Sequence, residues 1–134
     1  MIDVESAIFT EIATALRDTF TGIFVSGEYV QQPSQFPAVS IVEMDNSTYQ
    51  PGIDSSGIEN FANLMYQVDV YSNRTRGKKA ECKAIVALID EYFSQMGFVR
   101  TYMNPVQNMN DASIYRMTGR YQSVVGKDEY TYRR

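Results

Sequence analysis

The chain has 134 residues, 44% of them hydrophobic and 21% charged, with a net charge of −4 and a pI near 4.8. That size fits one domain around one core, and the acidic balance argues against general nucleic-acid binding, which needs a basic surface. Histidine is absent, removing the commonest general base and zinc ligand, and a lone cysteine, Cys82, excludes an intramolecular disulfide and fits a reducing compartment.

The first predicted helix covers residues 3–19. Val4, Ala7, Ile8, Ile12, Ala15 and Leu16 recur at the spacing of one helical face. Asp3 is the expected N-cap, and Glu5 sits favourably in the first turn. The opening residues, MIDVESA, are acidic and lack the basic start of a secretory signal, so no leader is expected. No apolar run reaches the length of a membrane-spanning helix, and no membrane association is expected.

After Gly22 a short strand is predicted over 23–30. Pro33 and Pro37 make the next segment an extended connection. A second strand follows over 38–48. Val39 and Ile41 share one of its faces, while Val42 and Met44 put apolar groups on the other, so both faces are expected to be partly covered. Residues 45–60 read DNSTYQPGIDSSGIEN, with the turn signal Pro51-Gly52. A loop this long is either functional or a loose hairpin tip.

The third strand is predicted over 61–71. Leu64, Tyr66, Val68 and Val70 line one face; Met65, Gln67, Asp69 and Tyr71 line the other. Asn73 or Thr75 is the expected cap of the second helix. Its apolar stripe is Ala80, Ala84, Ile85, Leu88, Ile89, Tyr92, Phe93 and Met96, and Gly97 follows where a left-handed residue is wanted. This strand–turn–helix unit, residues 65–98, organises the chain. A fourth strand is predicted over 98–108, with Pro105 pushing its far half towards an edge or a bulge. Asn110-Asp111 suits a turn. The fifth strand covers 113–125, with Tyr115, Met117 and Tyr121 on one side and Arg116, Thr118, Arg120 and Gln122 on the other. The tail, 126–134, is polar and aromatic. The order α-β-β-β-α-β-β predicts an α+β fold, an antiparallel or mixed sheet with both helices packed on one face.

No nucleophile–base pair, metal loop or phosphate loop stands out, so no catalytic residue, cofactor or metal is expected. Cys82 reads as a small buried thiol. Arg74, Arg76, Lys78 and Lys79 gather at the start of the second helix. The macrodipole favours acids there, so each cation costs roughly a few tenths of a kcal/mol. A local rule broken in this way hints at function: an acidic partner or a second copy would supply the gain. The plain alternative is a solvated turn. Ten tyrosines and seven methionines suit a protein–protein interface or, equally, a tyrosine-rich sheet over a methionine-filled core.

Phe36-Pro37-Ala38-Val39-Ser40-Ile41, the long hairpin loop, and Tyr66-Gln67-Val68-Asp69-Val70-Tyr71 together resemble the tail terminator (tail completion, head–tail joining) proteins of long-tailed bacteriophages. The likeness continues through IDEYFSQMGF at the end of the second helix and Ile114-Tyr115-Arg116-Met117-Thr118-Gly119-Arg120-Tyr121. The resemblance implies helices on one sheet face and a hexameric ring of identical subunits. Such a ring stops tail-tube polymerisation, joins the major tail tube protein to a head-completion or neck protein, and lets genomic DNA pass through its channel. It implies a virion protein made in the host cytoplasm, not an enzyme. On this reading the expected subunit contacts lie on the mixed sheet face and the strand edges: Asp69, Tyr71, Arg116 and Arg120, with the basic turn Arg74, Arg76, Lys78 and Lys79. A solvent-facing cross-strand salt bridge is the alternative for the sheet residues. The loop residues Tyr49, Gln50, Pro51, Gly52, Ile53, Asp54 and Ile58 are the expected tail-tube contact. Two other readings stand beside it: another phage neck or connector protein, and a small α+β ligand-binding module or enzyme.

Overall fold

The structure, a computed structural model, describes residues 1–30, 33–49, 61–106 and 112–126. Its elements are α1 (Glu5–Thr19), β1 (Phe24–Ser26), β2 (Ala38–Thr48), β3 (Phe61–Ser72), α2 (Lys78–Gln95), β4 (Val99–Val106) and β5 (Tyr115–Gly126). The predicted order α-β-β-β-α-β-β is found, as an α+β fold. The five strands form one mixed sheet in the order β1-β2-β3-β5-β4. β1 runs parallel to β2, and every other pairing is antiparallel. α2 returns the chain from the end of β3 to the start of β4, one slot further out, and β5 fills the gap.

Both helices cover the face that carries Leu64, Tyr66, Val68 and Val70 of β3, as the alternation predicts. Ile8, Ile12 and Leu16 from α1 meet Ile85, Ile89 and Phe93 from α2 in one core with Met117 and Tyr121 of β5. Phe93 is its hub. It stacks on Tyr121 at 4.4 Å and packs edge-on to Phe98 at 5.2 Å. Burying such a ring contributes about 1.5–3 kcal/mol, and each ring pair adds about 0.5–1.5 kcal/mol.

The helix ends differ from expectation. Asp3 Oδ1 accepts the Glu5 N–H at 3.3 Å, but the N-cap position is Val4, whose side chain makes no cap bond. α2 begins later than Asn73 or Thr75 would place it: Gly77, at φ 81°, precedes Lys78. Its stripe is also rotated. Ala80 and Ala84 are exposed, while Cys82 and Val86 are buried. Alanine is small enough to lie on either face at little cost, so its position carries weak information. Gly97, at φ 86°, ends α2 as expected, and the Phe98 N–H reaches the Phe93 carbonyl at 2.8 Å.

Candidate functional site

The face turned away from the helices can be read row by row from the strand register. From the β3 C-terminal end the rows are Ala38-Tyr71-Arg116-Val106, Ser40-Asp69-Thr118-Asn104, Val42-Gln67-Arg120-Tyr102, Asp45-Met65-Gln122-Val99, and Ser47-Asn63-Val124. A bulge at Met44 brings Asp45 rather than Met44 into the fourth row.

The first two rows are buried at their β2 and β3 positions, while Asn104 of β4 stays exposed. Asp69 and Tyr71 are each only 1% exposed. The Tyr71 hydroxyl donates to the Val30 carbonyl at 3.0 Å, so the β1–β2 connection lies over this end of the sheet. Pro33, three residues on, is buried. Asp69 Oδ1 accepts from Arg116 Nε at 3.0 Å and Nη2 at 2.8 Å, and also from the Thr118 hydroxyl. Gln67 Nε2 donates to Oδ2 at 3.2 Å. The guanidinium carbon of Arg116 stands 5.5 Å from the Tyr71 ring centre and 5.8 Å from that of Tyr29. Burial pulls the Arg116 ionisation down, but the hydrogen bonds and charge of Asp69 outweigh it and hold the guanidinium above its ordinary value. Burial, then the Asp69 charge, pushes the Tyr71 phenol up. Asp69, Tyr71 and Arg116 therefore form an internal anchor. Asp69 and Tyr71 are buried, so the pair is not a solvent-facing salt bridge.

The remaining rows are open. Val42, Met65 and Val124 are half-buried, while Val99 and Tyr102 are 44% and 42% exposed. Between Asp45, Met65, Val99 and Gln122 runs a shallow trough of about 420 Å³. Arg120, of the four sheet residues singled out from sequence, stays on the surface. Its Nε donates to Gln67 Oε1 at 3.2 Å, and its guanidinium stands 5.9 Å from the Tyr102 ring.

The basic turn projects from the opposite end of β3 to the long hairpin loop. Arg74 reaches Glu81 at 3.6 Å, and Glu81 also accepts the Ser72 hydroxyl at 2.6 Å. Glu81 is thus the first-turn acid that the helix dipole favours. Lys78 Nζ comes to 3.4 Å from the Ser113 carbonyl. Arg76 and Lys79 are exposed and have no ion-pair partner among the described residues. At the other end, Tyr49 closes the base of the hairpin: its N–H donates to the Phe61 carbonyl at 3.0 Å, and the two rings meet edge-on at 6.4 Å. Gln50, Pro51, Gly52, Ile53, Asp54 and Ile58 lie outside the described residues.

One polar group was invisible to sequence reasoning. The Tyr66 hydroxyl donates to Glu43 Oε1 at 2.9 Å, and the Glu43 N–H donates to Glu5 Oε2 at 3.3 Å. Asn46 Nδ2 donates to the Ile2 carbonyl at 2.7 Å. Burial raises the Glu43 carboxyl, the Tyr66 hydrogen bond opposes this, and the charges of Glu5 and Asp3 add to the rise. The group ties the N-terminal segment to the bulge of β2. Its hydrogen bonds join residues 23 to 44 positions apart, and nothing local in the sequence links them.

Cys82 is fully buried, and burial pushes its thiol up to about 12, the reverse of an activated nucleophile. Among the described residues no group of three or more Cys, Asp or Glu side chains is placed to hold a metal ion, and no helix is long and apolar enough to cross a membrane. No protein-family model matches the chain, and no curated protein matches it either.

Proposed function

We propose that the chain is a structural protein of virion assembly, a phage tail terminator. Its copies close into a ring, a hexamer by the resemblance, at the head-proximal end of the tail tube. The ring stops tube growth, joins tail to head, and leaves a channel through which the genome passes. The observation that carries this reading is the divided second face of the sheet. One end is sealed by the chain's own Asp69–Arg116 anchor. The other leaves Val42, Met65, Val99, Tyr102 and Val124 beside Gln67, Arg120 and Gln122, a mixture of apolar and polar groups typical of an interface between proteins. The helices on the opposite face, in the order α-β-β-β-α-β-β, are what the likeness to tail terminators implies.

Size-exclusion chromatography with light scattering should show a closed oligomer. Electron microscopy of tail tubes mixed with the protein should show it capping one tube end and blocking further growth. A chain that stays monomeric at every concentration, alone and with tubes, would overturn the proposal. Binding to heads but not to tubes would assign it to another place in the neck.

A further inference from the structure

A shallow, open groove runs along the outer side of α1 to Tyr92 of α2. Asp3, Glu11 and Asp18 stand along it with Ala7, Ala15 and Tyr92, and among the described residues no basic side chain lines it. The three acids are exposed. Glu11 and Asp18 are two helical turns apart, about 10 Å. The complementary surface is the turn before α2 and the first residues of α2, where Arg74, Arg76, Lys78 and Lys79 fall within six residues. Gly77, at φ 81°, lies in an exposed turn with Arg74 and Arg76. Only Arg74 has an acidic partner, Glu81, among the described residues.

We propose that this basic turn docks into the acidic α1 groove of a second copy of the chain. The inference rests on the self-assembly in the reading above and adds to it a second contact, away from the open sheet face. Turn and groove share no residue, so one subunit can offer its turn to one neighbour and its groove to another. Two different surfaces joined head to tail generate a ring when the rotation closes. The pairing also accounts for cations held against a helix dipole that disfavours them. The carboxylates of the next subunit replace the favourable interaction lost within the chain. In a chain of net charge −4, the same contact steers copies into one orientation against a general repulsion.

The test is charge reversal read by light scattering at about 50 mM salt, where screening is weak. One variant carries Glu11→Lys and Asp18→Lys, the other Arg76→Glu and Lys79→Glu. All four positions are exposed, so both variants should keep the parent's circular dichroism and melting temperature. Each alone should assemble with a dissociation constant raised about tenfold or more. Mixed in equal amounts they should assemble again, because each reversed surface then meets its reversed complement. Salt at about 1 M, with a Debye length near 3 Å, should weaken the parent's assembly and abolish the difference between parent and variants. Variants that assemble as the parent does, or a mixture that fails to recover, would overturn the docking while leaving the ring intact. A parent that is monomeric alone and on tubes would overturn both.

Discussion

Replacing Asp69 by alanine tests whether the sheet end is held by a buried anchor or by an exposed ion pair. The change removes the acceptor of both Arg116 nitrogens, of the Thr118 hydroxyl and of the Gln67 amide. Truncating one partner of a buried pair costs about 3–5 kcal/mol, because the other charge is left without compensation. The Arg116 side chain keeps 19% of its surface in solvent, and two tyrosine rings remain beside it, each worth about 0.5–1 kcal/mol to a cation. The lower end, about 3 kcal/mol, is therefore expected. With a urea slope near 1.5 kcal/mol/M for a domain of this size, the unfolding midpoint should fall by about 2 M. Asp69→Asn keeps the shape and one acceptor and should cost about half as much. In an Arg116→Met background the Asp69→Ala loss should shrink by about 2 kcal/mol, since no buried charge is then orphaned. A loss below about 1 kcal/mol for Asp69→Ala alone, the range of exposed ion pairs, would refute the buried anchor.

Three further outcomes are expected. The Glu43 carboxyl is raised above its ordinary value of 4.5, so the folded chain holds that proton more tightly than the unfolded chain. Its contribution to stability therefore falls as pH rises through the window just above 4.5. Glu43→Gln should flatten that fall and raise the neutral-pH melting temperature by about 2 °C, seen by calorimetry at stepped pH. Cys82 should react with a thiol reagent only as fast as the native protein opens, and freely in urea. Fast native labelling would contradict its burial. A β-carbon at Gly119 would meet the end of the Met103 side chain and come within 3.3 Å of the Tyr102 carbonyl. Gly119→Ala should thus cost about 1–3 kcal/mol by overpacking, and measurably less in a Met103→Ala background.

Much of the fold was legible because periodicity reports on burial. The alternation in β3 gave the core-facing Leu64, Tyr66, Val68 and Val70, and β2 begins and ends where its pattern does. Gly97 marked the end of α2 through its backbone freedom alone. The candidate site was less legible, for a physical reason. Alternation shows that Asp69 and Tyr71 face away from the helices, but not whether anything covers that face. The cover comes from the β1–β2 connection, around Tyr29, Val30 and Pro33, whose path depends on tertiary contacts rather than on a local repeat. The Asp69–Arg116 partnership follows once the register sets Asp69 opposite Thr118 and Tyr71 opposite Arg116. The basic turn was visible as a run of charge, and its partner within the chain, Glu81, was not.

The two margins of the sheet have a consequence for how copies of the chain meet. β1 pairs only three residues of β2, and the far margin is β4, so long stretches of backbone border solvent or side chains on both sides. Such margins invite strand addition and, ultimately, fibres. Each is spoiled in its own way. On β2 a bulge interrupts the ladder, and the Glu5 carboxylate occupies the Glu43 N–H. On β4 a second bulge follows Arg100, and Pro105 withholds a donor. Growth by backbone pairing is thereby discouraged at both margins.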